Sequence, residues 1–505
     1  MRISIGSASR PRFVSQGRRP RPVDMRRRPL LKLVLLPLAL WAGPPAAAGS
    51  VPLAGAASAV YDVRAFGAVG DGTTLDTLAL QNTIDRCSAA GGGTVLVAGG
   101  TYLTGTLYLK SDVCLRIEAG ATILGSAHLA DYATDTHKNM YKNEAHLDRC
   151  LLFARDAHNL TLEGHGRIDG QGGSFPNRED PAKNRPMLLR LLNCSGLRLR
   201  DLTLQNPASW TSAWLYCTDI VVDGIAIRSR ANINGDGLDF DGCQGVRVSN
   251  SRFDNSDDCI CLQTSRPDRP CRDITIGRCH FTSRWAGLRI GLLSRGDFEN
   301  ITVADCTFRD ITDSGLKIQL GEGAVMKNMV FTNLVMTNVL KPVFMTFGQH
   351  RAHVDAPPEL APMKTMRGFI FSHILVETET GGKDAAFILT GLPGHPIEDV
   401  TLSDIRATFA GGGTVADAAN LPDELTPENL QGRWPEYSRF SRTVPARGLY
   451  ARHVQGLTLR NVDFRTLAPD ARPAVVFDDV HDTRLSDAPA PVFPQKLSNP
   501  GTNSP

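Results

Sequence analysis

Six aspartates fall within residues 234–262, NGDGLDFDGCQGVRVSNSRFDNSDDCICL: Asp236, Asp239, Asp241, Asp254, Asp257 and Asp258. Carboxylates at this density have three uses. Forced together, they cannot all ionise, so one stays a protonated acid beside ionised bases. Arranged with other oxygens, they make a calcium cage. Spread over turns, they are a solvated surface. The elements that position them decide between these uses.

Those elements repeat. Two alternating apolar residues, two corner residues and two more alternating apolar residues recur as LRLRDLTL at 197, IVVDGIAI at 220, VRVSNSRF at 246, ITIGRCHF at 274 and ITVADCTF at 301. MVFTNLVM at 329, FIFSHILV at 369, VTLSDIRA at 400 and LTLRNVDF at 457 continue the series. The first six starts are 23, 26, 28, 27 and 28 residues apart. Period-two alternation reads as strand, and a fixed period of this size reads as a solenoid. The L-x-x-L-x-L frame with a helix per repeat is missing, which argues against a leucine-rich repeat. The expected fold is all-β: a single right-handed parallel β-helix with three short strands per coil and inserted loops. TLDTLALQNTIDRCSAAGG (74–92) reads as a short amphipathic helix capping the N-terminal end. The largest insertions are 341–367 and 408–447.

On such coils Leu238, Phe240, Ile260, Leu262, Leu288, Ile290, Leu316 and Ile318 should face inward. This register stacks Asp236, Asp258, Ala286 and Ser314 at one strand entry, with Asp257 on the corner before Asp258. Asp239, Cys261, Arg289 and Lys317 form one outward column. Asp241, Gln263, Gly291 and Gln319 form a second. Successive coils lie about 4.8 Å apart, so Asp236, Asp257 and Asp258 should converge, and at least one pKa should rise. An acid beside carboxylates that activate water is what glycosidic hydrolysis requires. Asp254 sits on a flank and reads as solvated. Cys259 and Cys261 should share one strand face, too close along the chain to bridge each other. Cys279 and Cys306 occupy equivalent corners and read as interior thiols.

The 505 residues are 42% hydrophobic and 21% charged, a globular composition. Residues 25–50, MRRRPLLKLVLLPLALWAGPPAAAGS, read as an export signal: a basic start, a short apolar run and a small-residue cleavage site after Ala48. Arg27 and Arg28 also fit a twin-arginine signal. Met25 is an alternative start. The apolar run is too short for a comfortable membrane span. The expected organisation is an export signal over 1–48, a linker over 49–59, the β-helix over 60–480 and a tail over 481–505. A periplasmic or secreted monomer follows, with no stable membrane insertion once the signal is removed. Residues 1–48 hold ten Lys/Arg and one Asp, and the whole chain carries +3, so the remainder is about −6. That balance excludes a basic nucleic-acid binder. Eleven cysteines leave at least one unpaired within the chain.

With these residues in place, the chain from about 60 to 465 resembles glycoside hydrolase family 28, the polygalacturonase-like β-helix enzymes. The segments that carry the resemblance are YDVRAFGAVGDGTTLDTLALQNTID, GHGRIDGQGG (164–173), LQNPASWT, NGDGLD and SDDCICL. The resemblance implies that Asp257 is the general acid and that Asp236 and Asp258 hold and activate water. It implies inversion without a metal or other cofactor. Asn234 matches the asparagine of the Asn-Thr-Asp motif, with Gly235 in place of threonine. The family's Gly-His-Gly motif falls on Trp285, Ala286 and Gly287, so its histidine is missing. Its Arg-Ile-Lys motif falls on Lys317, Ile318 and Gln319, and a lysine often found after the Asp-Asp motif is Gln263. Substrate contacts are therefore expected from Asn234, Asp239, Gln263, Arg289, Lys317 and Gln319. Asp241 would line the neighbouring groove. His350, or else His395, would enter from a loop to replace the histidine. Arg289 lies one coil before Lys317 and would substitute for a lost cation. Trp210, Trp214 and Trp285 stack on sugar faces or pack under loops. The expected partner is a plant cell-wall polysaccharide or oligosaccharide, a galacturonan or a rhamnogalacturonan. Two rivals remain: an inactive carbohydrate-binding β-helix and a calcium-dependent lyase on the same coil.

Overall fold

A computed structural model of the chain describes residues 59–144, 147–177, 184–348, 354–355, 363–430 and 443–494. The segment read as an export signal and His350 lie outside the described residues. The chain winds into a parallel β-helix in which each strand pairs with its counterpart one coil later. One sheet runs through Met187–Leu192, Ser212–Leu215, Leu238–Asp241, Ile260–Thr264 and Leu288–Ser294. A second runs through Ser195–Arg200, Thr218–Asp223, Gln244–Ser249 and Cys271–Gly277. A third runs through Thr203–Gln205, Ala226–Ser229, Arg252–Asn255 and His280–Ser283. In later coils neighbouring strands run together, as in Phe298–Leu320 and Met326–Phe347. Strand pairing continues through Arg484–Ser486.

The repeat explains this winding. Its apolar positions fill the interior, where Phe253, Phe281 and Phe308 stack with centroids 5.1 and 4.8 Å apart. Its corners bend because Asp201, Asn250, Asp305, Asn333, Asp404 and Asn461 adopt positive φ, a region that Asn and Asp tolerate better than other side-chain-bearing residues. The same side chains then bond from coil to coil: Asn333 Nδ2 donates to Asp305 Oδ1 at 3.0 Å, and Asn461 Nδ2 to Asp404 Oδ1 at 2.9 Å. The helix Thr77–Ala89 lies at the N-terminal end, burying Leu80, Ile84 and Cys87. All eleven cysteines are unbridged thiols. Among the described residues no helix is long and apolar enough to cross a membrane.

The predicted register holds across the acidic coils. Leu238 pairs with Ile260, Ile260 with Leu288 and Leu288 with Leu316, all interior. The outward column Asp239, Cys261, Arg289 and Lys317 is intact. The second column is broken. A bulge advances the pairing from Leu262–Ile290 to Thr264–Ser294, so Gly291 does not oppose Gln263. Gly291 permits the bulge: its φ is +101°, and a Cβ there would sit 1.5 Å from the Gln319 carbonyl oxygen.

Candidate active site

The strand-entry column is closed by backbone bonds. Gly237 donates to the Asp258 carbonyl at 2.9 Å, Cys259 to that of Ala286 at 3.0 Å and Gly287 to that of Ser314 at 3.0 Å. Asp236 and Asp258 therefore project from adjacent coils toward one spot, where carboxylate oxygens from both and the Cys261 sulfur lie within 4.8 Å of one another. The half-buried Asp257 stands on the corner beside them. Its Oδ1 accepts from its neighbour's amide, Asp258 N, at 2.9 Å, and its carbonyl accepts from Ser283 Oγ at 2.6 Å. Burial and then the adjacent Asp258 push Asp257 up to about 7, against the pull of Arg289 and Lys317. Burial and the charges of Asp257, Asp239 and Asp258 raise Asp236 well above the usual carboxylate range.

The cations expected to meet substrate are engaged within the protein. Arg289 Nη1 contacts Asp258 Oδ2 at 3.0 Å, and its Nε donates to Gln319 Oε1 at 3.1 Å. The second oxygen of Asp258 accepts from the Ala286 amide at 3.1 Å, which fixes the carboxylate plane. Lys317 is fully buried rather than exposed. It pairs with Asp313 at 2.7 Å and lies 4.7 Å from the centre of the Trp285 ring. Replacing Lys317 with methionine strands a buried Asp313 charge. We expect a loss of about 3–5 kcal/mol, read as a lower urea midpoint at unchanged slope.

Asp239 is 2% exposed, with Gln263 Nε2 3.5 Å from its Oδ1. Asp241 accepts from the Ser265 amide at 2.7 Å, and burial raises it to about 6. These three residues border a tight cavity whose other walls are Met140, Trp210, Ala213, Leu215 and Leu293 together with Lys138, Asn139 and Arg190. Asn234 turns its carbonyl oxygen to Arg185 at 2.8 Å and has φ +53°, so it shapes the loop before Asp236. Asp254 is bonded to Arg230 at 2.6 Å on the flank.

Three expectations are corrected. Trp214 does not face substrate. Its strand pairs Ala213 with Asp239, which sends Trp214 inward against Phe240. Cys259 and Cys261 do not share a face: Cys259 precedes the strand and bonds to Thr282 inside, whereas Cys261 points outward to the carboxylates. The insertion after Lys341 begins later than expected, because residues 341–347 belong to the strand Met326–Phe347. His395 is tied to the Leu392 backbone, and its described bonds do not reach the aspartates.

Three further residues bear on the carboxylates without being among the expected site residues. Cys261 Sγ lies 3.6 Å from Asp258 Oδ2 and 3.9 Å from Asp236 Oδ2. Glu144 is buried, and its charge raises Asp236 and Asp239. It comes from an insertion between coils, so no repeat alignment marks it. Asp313 was findable: it precedes Ser314 as Asp257 precedes Asp258, with Trp285 between them in the same corner column.

The structure is thus a parallel β-helix that gathers Asp236, Asp257 and Asp258 on its outer face. The family model described as "Glycosyl hydrolases family 28" matches residues 87–426, and the chain belongs to that family of glycoside hydrolases. A "Probable polygalacturonase" of Vitis vinifera is 25% identical over 388 residues, covering 72% of this chain and 78% of that one. An "Exo-poly-alpha-D-galacturonosidase" of Dickeya chrysanthemi is 26% identical over 437 residues, 74% and 71% of the two chains. The structure of the Yersinia enterocolitica family 28 exopolygalacturonase superposes with a TM-score of 0.64 at 20% identity, covering 85% of this chain and 79% of that one.

Proposed function

We propose that the chain is an exported, inverting hydrolase of pectin-type poly- or oligosaccharides that works without a metal. The convergence of Asp236, Asp257 and Asp258 carries this reading. Asp257, on the open corner with its pKa raised to about 7, donates the proton to the leaving glycosidic oxygen. Asp258, in its ion pair with Arg289, takes the proton of the attacking water, and Asp236 orients that water from the adjacent coil. Trp285, 40% exposed beside Asp257 in the corner column, offers a face for a sugar ring. Export rests on the sequence of residues 25–48.

The names of the relatives support a galacturonan substrate. One feature favours a rhamnogalacturonan fragment as a second reading. Arg289 and Lys317 already hold Asp258 and Asp313, which leaves less positive charge to grip a uronate. A screen of defined galacturonan and rhamnogalacturonan oligosaccharides, run in chelator with Asp257→Asn as control, tests the proposal. Reducing-end release by the wild type alone supports hydrolysis. Binding without turnover on every glycan contradicts it.

The acid must be protonated to act. With its pKa raised, Asp257 holds its proton through the mildly acidic range and loses it as pH passes about 7. We therefore expect kcat/KM to fall roughly tenfold per pH unit above that point. An ordinary carboxylic acid would give a fall beginning near pH 4.

A further inference from the structure

We propose that Trp285 is the platform for the leaving sugar, held in place by Lys317 and Asp313 as positioning residues, and that this subsite reads the C–H face of that sugar and not its carboxylate. Trp285 stands one coil after the acid in a single corner column. Asn255 pairs with Ser283 and Ser283 with Ile311, and two residues after each come Asp257, Trp285 and Asp313. In direct displacement the water and the leaving oxygen lie on opposite sides of the anomeric carbon. Asp236 reaches the water from the coil before the acid. The coil after the acid therefore faces the leaving sugar, about 4.8 Å further on.

The platform is held on several sides. The Trp285 amide donates to Ser283 Oγ at 2.7 Å, and Ser283 Oγ donates to the Asp257 carbonyl, so ring and acid share one bracket. The Trp285 carbonyl accepts from the Asp313 amide at 3.0 Å. The Lys317 ammonium lies 4.7 Å from the ring centre and is itself pinned by Asp313 at 2.7 Å. That cation–π contact fixes the ring plane. Lys317 is fully buried while Trp285 is 40% exposed, so the open surface of the ring is on the side away from the lysine. An aromatic face is negative. It attracts the polarised C–H bonds of a pyranose and repels an anion laid against it. Lys317 gives its charge to Asp313 and Arg289 gives its charge to Asp258, so both cations of the outward column are engaged before a carboxylate arrives.

The side of the bond rests on the reading of Asp257 as the acid; the stacking does not. Digalacturonate, and the same disaccharide methyl-esterified on its reducing residue, test the two separately. The wild type should cleave both with KM values within threefold of each other. Trp285→Ala should raise both KM values at least tenfold with kcat within threefold, and Trp285→Phe should restore them. Lys317→Met should raise KM at least threefold in the wild-type background and leave it unchanged in Trp285→Ala, because it acts through the ring. Should Lys317→Met fail to fold, Asp313→Asn is read in the same cycle. A tenfold rise in KM on esterification, or an unchanged KM in Trp285→Ala, overturns the platform and leaves the hydrolase reading standing. Equal calorimetric binding of both sugars without turnover, weakened at least tenfold in Trp285→Ala, upholds the platform and overturns the hydrolase reading instead. Binding of neither sugar overturns the platform.

Discussion

Asp257→Asn should lower kcat about 10²–10⁴-fold while leaving KM within a few-fold, the size expected when a general acid is lost. The amide keeps the shape of the corner and can still accept the Asp258 N–H at the position of Oδ1. It removes only the transferable proton. The same substitution relieves a repulsion, since Asp257 raises the pKa of Asp236 and is itself raised by Asp258. Stability should therefore hold or increase as activity collapses. A residue merely solvated on a turn would change neither quantity, and a folding residue would lose both together. Steady-state kinetics alongside a thermal melt separates the three cases.

Arg289→Met should be the second large effect, and it should act on two readouts. The guanidinium is the ion-pair partner of Asp258, with side chains 10% and 0% exposed. Removing one member of a buried pair costs about 3–5 kcal/mol because the other charge is stranded. We expect kcat to fall about 10²-fold or more as the carboxylate that receives the water's proton loses its anchor. The pH profile gives the sign. Arg289 pulls the Asp257 pKa down, so its loss lets that pKa rise, and the alkaline limb should move upward. Were Arg289 a substrate clamp alone, KM would rise and the limb would stay. Measuring kcat, KM and the pH profile of the variant distinguishes these roles.

The coil was legible because its signals are local and repeated. An alternating pair, an Asn or Asp corner and a second alternating pair set the strand, the positive-φ bend and the next strand. Stacking four such segments brings Asp236, Asp258, Ala286 and Ser314 together from the sequence alone. Features that do not repeat were not legible. The bulge at Gly291 depends on a close approach to the next coil, which alternation does not reveal. Glu144 reaches the carboxylates from an insertion. Lys317 looked exposed because its column faces outward, yet Trp285 and Asp313 cover it. The position of Trp214 follows from its register and not from its ring chemistry. Extending the Asp239 column back one coil to Ala213 puts the tryptophan inside.

In the proposed reaction Asp257 and the Asp236–Asp258 pair cleave an α-linked pectic glycoside by direct displacement with water. Proton NMR of the first minutes of reaction, in chelator and faster than mutarotation, tests it most directly. We expect the β-anomer of the new reducing end to appear first and then equilibrate. An α-anomer formed first, or a vinylic proton from an unsaturated uronide, would contradict it.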